Sequence, residues 1–266
     1  MYGDLRDLSS LFSILKSIKP DRIYHLAAQS YVPYSYDAPV DTLTTNIIGT
    51  TNLLEAIRIT GQRPFIHICS SSEVYGQPEP HEVPIKESNP IRPVSPYGVS
   101  KVGEERIAWV YYKAYGMKIV ITRMFTHTGA RRGDVFVASN FAKQLAQIEK
   151  SGGQGIIKVG NLSSVRTFAD VRDTVRAYAL LRDDMAGEVF NIGGETTMTI
   201  QEMLDLMVAL TSCRVEIEIE HNRLRPVDVT LQIPDCSKFK EATGWKPTIS
   251  LDATLRDLLD YWRGKV

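Results

Sequence analysis

Tyr97 and Lys101 stand four residues apart in the run Ser95-Pro96-Tyr97-Gly98-Val99-Ser100-Lys101. On a helix that spacing puts both side chains on one face, so a phenol and an ammonium can converge on one substrate oxygen. A nearby ammonium stabilises phenolate and would draw a phenol pKa down from about 10, toward the range where it exchanges a proton with a hydroxyl or carbonyl. Ser71, in the cluster Ser70-Ser71-Ser72-Glu73, would hydrogen-bond the same oxygen. Hydride-transfer chemistry needs no more protein groups than these. Glu73 adds a second acid/base, which an elimination step requires and a simple reduction does not. With twelve tyrosines in the chain, one Tyr-x-x-x-Lys by chance is unremarkable, so the weight falls on its surroundings.

Those surroundings are strand, turn and helix in the right order. The β-branched run 65–69 reads as a strand that delivers the serine cluster at its carboxyl end, where open α/β sheets present their ligands. Pro96 suits a first helical turn and Ser95 suits the cap before it. Strands at 22–27, 65–69 and 118–122 alternate with helices at 8–18, 40–60 and 97–115, which predicts a parallel sheet with crossover helices. After Arg123 the rhythm loosens into a helix at 140–150, strands at 156–159 and 189–192, and a helix at 200–210. Gly152-Gly153-Gln154-Gly155 follows a helix and precedes a strand, the order of a turn and not of a phosphate loop.

Composition narrows the partners. The 266 residues carry 31 basic and 31 acidic side chains, so no charge excess points to nucleic acid. Cys69, Cys213 and Cys236 are too few and too scattered for a disulfide framework or a zinc site, and read as reduced thiols with no metal. No apolar run reaches membrane-span length, and Asp4, Arg6 and Asp7 are unlike a secretory leader, so a cytoplasmic small-molecule enzyme is expected.

An ordered set of further landmarks runs nearly end to end: Gly3-Asp4-Leu5-Arg6-Asp7, His25-Leu26-Ala27-Ala28-Gln29-Ser30, Asn46-Ile47-Ile48-Gly49-Thr50, Ser71-Ser72-Glu73-Val74-Tyr75-Gly76, Val171-Arg172-Asp173, Leu224-Arg225-Pro226 and Gly244-Trp245-Lys246-Pro247. With the Tyr-Lys segment, this set resembles the extended short-chain dehydrogenase/reductase family, of the NAD-dependent epimerase/dehydratase kind. Within it, the GDP-mannose 4,6-dehydratases and GDP-4-keto-6-deoxy-mannose reductases match best. The resemblance implies a Rossmann-like, doubly wound parallel α/β sheet with a smaller α/β substrate lobe. Residues 1–122 with about 167–195 would hold NADP or NAD, and 123–166 with 196–266 would hold a nucleotide sugar, a GDP-hexose. It also implies a homodimer or homotetramer.

Carried over residue by residue, the resemblance makes Ser71, Glu73, Tyr97 and Lys101 catalytic. Asp4, Leu5, Leu26, Ala27, Ala28 and His127 would join Tyr97 and Lys101 on the cofactor. Ser30, Asn46, Ser72, Thr126, Arg166, Arg225 and Asp228 would face the substrate, with Asn46 supporting the surroundings of Lys101. Arginine suits the diphosphate because its fork meets phosphate oxygens in pairs. Arg131-Arg132 reads as a solvated basic pair.

A dinucleotide fold ordinarily opens with a strand, a glycine-rich turn and a helix N-terminus that receives the pyrophosphate. The landmark Gly3-Asp4-Leu5 corresponds to a point after the third strand in the resembling proteins, so on the order of 50 residues are expected to be missing, at ~30 or more per βαβ unit. Ser71 replaces the usual Thr of dehydratases. Thr126 stands where the family has Asn, Thr167 where it has Asp, and Asn140 where dehydratases often have Lys. The runs 158–162 and 168–173 look closer to the reductase branch. Against these departures Glu73 keeps dehydratase the first expectation, with reductase the second and a non-catalytic nucleotide-sugar-binding protein the third.

Overall fold

The computed structural model describes residues 2–224 and 226–266. Helix α1 (Leu8–Ile18) is capped by the Asp7 carboxylate, which accepts from Ser9 N, and leads into strand β1 (Arg22–His25). The strand stops at His25, two residues short of the expected end, and leaves Leu26 and Ala27 exposed in the following loop. Helices α2 (Val32–Asp37) and α3 (Pro39–Leu43) follow, then a π-helical turn, Thr44–Ile48, and α4 (Gly49–Thr60). The single long helix expected over 40–60 is thus broken in its middle by a widened turn centred on Asn46.

Strand β2 (Phe65–Ser71), helix α5 (Pro96–Tyr115) and strand β3 (Lys118–Met124) form the heart of the fold. Beyond them come β4 (His127–Thr128), α6 (Val137–Lys150), β5 (Gln154–Val159), β6 (Val165–Asp170), α7 (Val171–Ala179) and β7 (Val189–Ile192). The chain ends through β8 (Thr196–Thr199), α8 (Ile200–Ala209), β9 (Arg214–Ile219), β10 (Leu231–Gln232), α9 (Ser237–Thr243) and α10 (Leu251–Arg263).

The main sheet is parallel in the order β1-β2-β3-β7, in register from Arg22 opposite Phe65 and from Phe65 opposite Lys118. Alternation along its strands feeds two apolar layers. Ile66, Ile68, Ile119 and Ile121 point to α1, α4 and α5, where Leu11, Leu54, Ile57 and Ala108 cover them. Val120, Met124, Phe190 and Ile192 pack on the other side with Tyr178, Phe239 and Trp245. Helices on both faces of a parallel sheet are the doubly wound arrangement expected from the sequence. A third core joins α6, α8 and α10 to β5 through Leu145, Ile157, Met203, Leu255 and Leu258.

The later half also carries a small sheet, β10-β6-β4, with β8 antiparallel to β6, and a separate parallel pair, β5 and β9. Gly152 and Gly153 sit at φ +109° and +79° just before β5, so that glycine run is a turn. Cys69, Cys213 and Cys236 are free thiols. Among the described residues, no helix is long and apolar enough to cross a membrane.

Candidate active site

The carboxyl end of β2 builds the site. Ser71 caps a single 3-10 turn, Ser72–Val74, by accepting from Glu73 N at 3.2 Å, which leaves Glu73 half-buried immediately past the strand. Helix α5 starts beside it, with Ser95 Oγ accepting from Gly98 N at 3.0 Å and Pro96 in the first turn. A Cβ on Gly98 would lie 2.8 Å from Glu73 O. Only glycine lets the first turn of α5 rest against the serine loop.

Tyr97 and Lys101 are both buried, at 8% and 4% exposure. Lys101 Nζ lies 5.8 Å from the Tyr97 ring centre, donating to Cys69 O at 3.0 Å and Glu104 Oε2 at 3.1 Å. The pair converges as the helical spacing predicts. The phenol, however, is not drawn down: burial pushes Tyr97 up, and the Lys101 ammonium and the Ser71 hydroxyl recover only part of that. Burial also works against the charge on Lys101, yet the neighbouring Glu104, Tyr97 and Cys69 outweigh it and raise the ammonium above the usual lysine value.

Asn46 is fully buried and does not bond to Lys101. Its Oδ1 accepts from Gln29 N at 2.8 Å, while its Nδ2 donates to Gln29 O at 2.9 Å and to Ser100 Oγ at 2.8 Å. It therefore ties the loop after β1 to α5 one residue before the lysine, supporting the site through backbone. In that loop Ser30 is exposed and Ala28 half-buried, and Gln29 Oε1 is buried without a partner.

His127 Nδ1 lies 3.2 Å from Phe125 O, and burial, with the Arg132 charge nearby, holds the ring down at about 4, so it is neutral near pH 7. Thr126 is half-buried, its carbonyl accepting from Ala169 N at 3.0 Å. The reading of Arg131-Arg132 as a solvated pair is wrong for the second member. Arg131 is exposed at φ +73°, and this reversal turns Arg132 inward, 3.6 Å over the Phe136 ring, where its charge reaches Tyr97. The signal was present as an aromatic four residues after an arginine pair.

Asp4 is exposed and held at about 2 by hydrogen bonds from Arg6, while Leu5 packs against α4 at Gly49. On the other side, Ser72 Oγ donates to Gln232 Oε1 at 3.1 Å, and Thr230 N donates to Gln77 Oε1 at 2.7 Å. Gln232 was not anticipated, because β10 is only two residues long and carries no periodic pattern. Arg166 and Asp228 come together, 4.0 Å apart at their nearest charged atoms, with Arg166 buried and donating to Val165 O and Val229 O. Asp228 also accepts from Asn161 and Ser164. Arg225 lies outside the described residues.

A dinucleotide fits this cleft in part. Lys101 and Arg132 supply positive charge beside Tyr97, the loop 26–30 offers small exposed side chains, and Gln29 Oε1 is an unclaimed acceptor. Among the described residues, no glycine-rich turn joins a strand of the main sheet directly to a helix N-terminus.

A doubly wound parallel sheet with Ser, Tyr and Lys gathered at its carboxyl edge defines a short-chain dehydrogenase/reductase. Residues 1–258 match the GDP-mannose 4,6 dehydratase family, and the chain belongs to it. It is 32% identical over 264 residues to the GDP-6-deoxy-D-mannose reductase of Pseudomonas aeruginosa, covering 99% of this chain and 86% of that one. It is 33% identical over 265 residues to GDP-mannose 4,6 dehydratase 1 of Arabidopsis thaliana, covering 97% and 72%. Among solved structures, RMD from Pseudomonas aeruginosa, complexed with NADPH, superposes with a TM-score of 0.91 at 30% identity, covering 100% of this chain and 89% of that one.

Proposed function

We propose that the protein is an NADP-dependent GDP-mannose 4,6-dehydratase, and the observation that carries this reading is Glu73. It stands on the serine loop, against which the first turn of α5 rests, and gives the Tyr97–Lys101 pair the second acid/base that elimination demands. A bound NADP would supply the redox chemistry, taking up hydride from C4 of the hexose and giving it back at C6. Tyr97 takes the proton of the C4 hydroxyl, with Lys101 stabilising the phenolate and Ser71 donating to the same oxygen. The resulting ketone acidifies C5–H. Glu73 removes that proton and delivers one to the C6 hydroxyl, which leaves as water.

The substrate is a GDP-hexose, with Arg166, Asp228 and Arg225 assigned to its nucleotide, Ser30, Ser72 and Thr126 assigned to the sugar, and Asn46 supporting the loop behind them. Residues 1–122 with 167–195 serve the cofactor, and 123–166 with 196–266 serve the sugar nucleotide. The enzyme works in the cytoplasm as a homodimer or homotetramer. Family membership and the similarity to sugar-nucleotide enzymes support this reading.

The second reading is a GDP-4-keto-6-deoxy-mannose reductase, favoured by the similarity to the Pseudomonas aeruginosa reductase over 86% of that protein's length. It needs Tyr97, Lys101 and Ser71 but no elimination base. Conversion of GDP-mannose by Glu73→Gln separates the two. A dehydratase loses turnover by about 10²- to 10⁴-fold, and near-full activity of the variant on a 4-keto substrate assigns the reductase instead.

A further inference from the structure

Two carboxylates lie side by side on α5 one helical turn after Lys101, both buried, and they are used very differently. Glu105 has a full set of donors: Ser70 Oγ at 2.6 Å, Arg123 Nε at 2.9 Å and Arg123 Nη2 at 2.7 Å. Glu104, 1% exposed, has a single donor, Lys101 Nζ at 3.1 Å, and its Oε1 is buried with no partner. Leaving a buried carboxylate oxygen unsatisfied is costly, and packing alone would be served better by an uncharged side chain. The group retained at that cost touches the one lysine of the site.

We propose that Glu104 is a positioning residue of the active site: it fixes the Lys101 ammonium beneath the end of β2 and cancels part of the positive charge that Lys101 presents to Tyr97. Glu104 and Cys69 O hold the ammonium from two sides, so its third N–H is left for a substrate or cofactor oxygen. The strength of the lysine's pull on the phenol then depends on the charge of Glu104.

The charged and titratable groups around the pair are few. Tyr97 and Glu105 share the helix with it. Cys69 and His67 face it from β2 and His25 from β1, while Tyr178 from α7 and Arg132 from the loop before α6 act on Tyr97. Burial keeps both histidines neutral near pH 7. Burial also raises Glu104 to about 7 against the pull of Lys101. It is therefore an anion throughout the alkaline range where a phenol titrates, and its charge pushes Tyr97 upward there.

The inference rests on the Tyr97–Lys101 site but not on the choice between dehydratase and reductase. Its test is a tyrosinate absorbance titration of the full chain without substrate, comparing Glu104 with Glu104→Gln, each read as the difference from the same protein carrying Tyr97→Phe. Glutamine keeps the volume and one acceptor while removing the charge. The Tyr97 midpoint should fall by about one pH unit. An unchanged or raised midpoint in a folded variant overturns the proposal. Should Glu104→Gln not fold, Glu104→Asp is read in the same way: it withdraws the charge by one methylene, and a smaller fall is expected, with no fall overturning the proposal. A shifted midpoint in a protein that turns over no sugar nucleotide keeps this inference and removes the catalytic reading, whereas turnover with no shift does the reverse.

Discussion

In the proposed chemistry Tyr97 carries the proton traffic from a buried position, and only its hydroxyl does so. Tyr97→Phe should therefore lose about 10²- to 10⁴-fold in kcat while its far-ultraviolet circular dichroism and unfolding midpoint stay near those of the parent. Loss of activity accompanied by loss of fold would place the residue in the core instead. The Tyr-Lys pair, the serine loop and Glu73 were legible because helix period and strand-end position are local properties of sequence. The direction of the Tyr97 shift was not legible. Burial decides it, and burial depends on what α5 packs against, which spacing does not encode. Arg132 escaped for the same reason, since a positive φ at Arg131 separates two neighbouring side chains that sequence treats alike.

The widened turn at Thr44–Ile48 shows how an element is shaped by the site it serves. A π turn inserts one extra residue into a helix and re-aims the side chains around it, and here it points Asn46 at Gln29 and Ser100 together. Asn46→Ala removes three hydrogen bonds and takes the partner from a part-buried N–H and C=O of Gln29. It should cost about 2–4 kcal/mol by urea unfolding and weaken NADPH binding followed by nicotinamide fluorescence. An intact binding constant would separate the loop from the cofactor. Helices α1 and α5 were read almost to the residue, α1 from its apolar spacing and the start of α5 from Ser95 and Pro96. Strands β4 and β10 were not, because two-residue strands have no period to read, and their existence follows from pairing with β6.

Across the whole molecule, the sheet buries ionisable rings. Burial holds His25 at about 4 and His67 at about 3, the two bonded to Thr50 and Thr122, against about 6.5 in an unfolded chain. The folded values are depressed, so the unfolded chain binds more protons below pH 6.5. The stability contributed by neutral burial is complete above 6.5 and is lost as pH falls toward 4. At pH 5 each ring should cost about 2 kcal/mol, visible as a falling urea midpoint between pH 7 and pH 5, and His67→Gln should flatten that slope. A flat profile in the parent would show that the rings reach solvent. In the third core, Leu255→Ala should cost about 2–5 kcal/mol, because Leu255 is fully enclosed between α6 and α8.

The bond from Ser72 to Gln232 spans 160 residues of chain, and that from Gln77 to Thr230 spans 153. Contacts of such separation form late and slowly in a growing polypeptide. During synthesis the sheet strands β1, β2 and β3 emerge and can pair long before β10 exists, so the loop carrying Glu73 waits without its anchor. The order of assembly is thus scaffold first and serine-loop anchor last: a ribosome halted anywhere before residue 230 would hold a nascent chain with Glu73 in sequence but its loop not yet tied down.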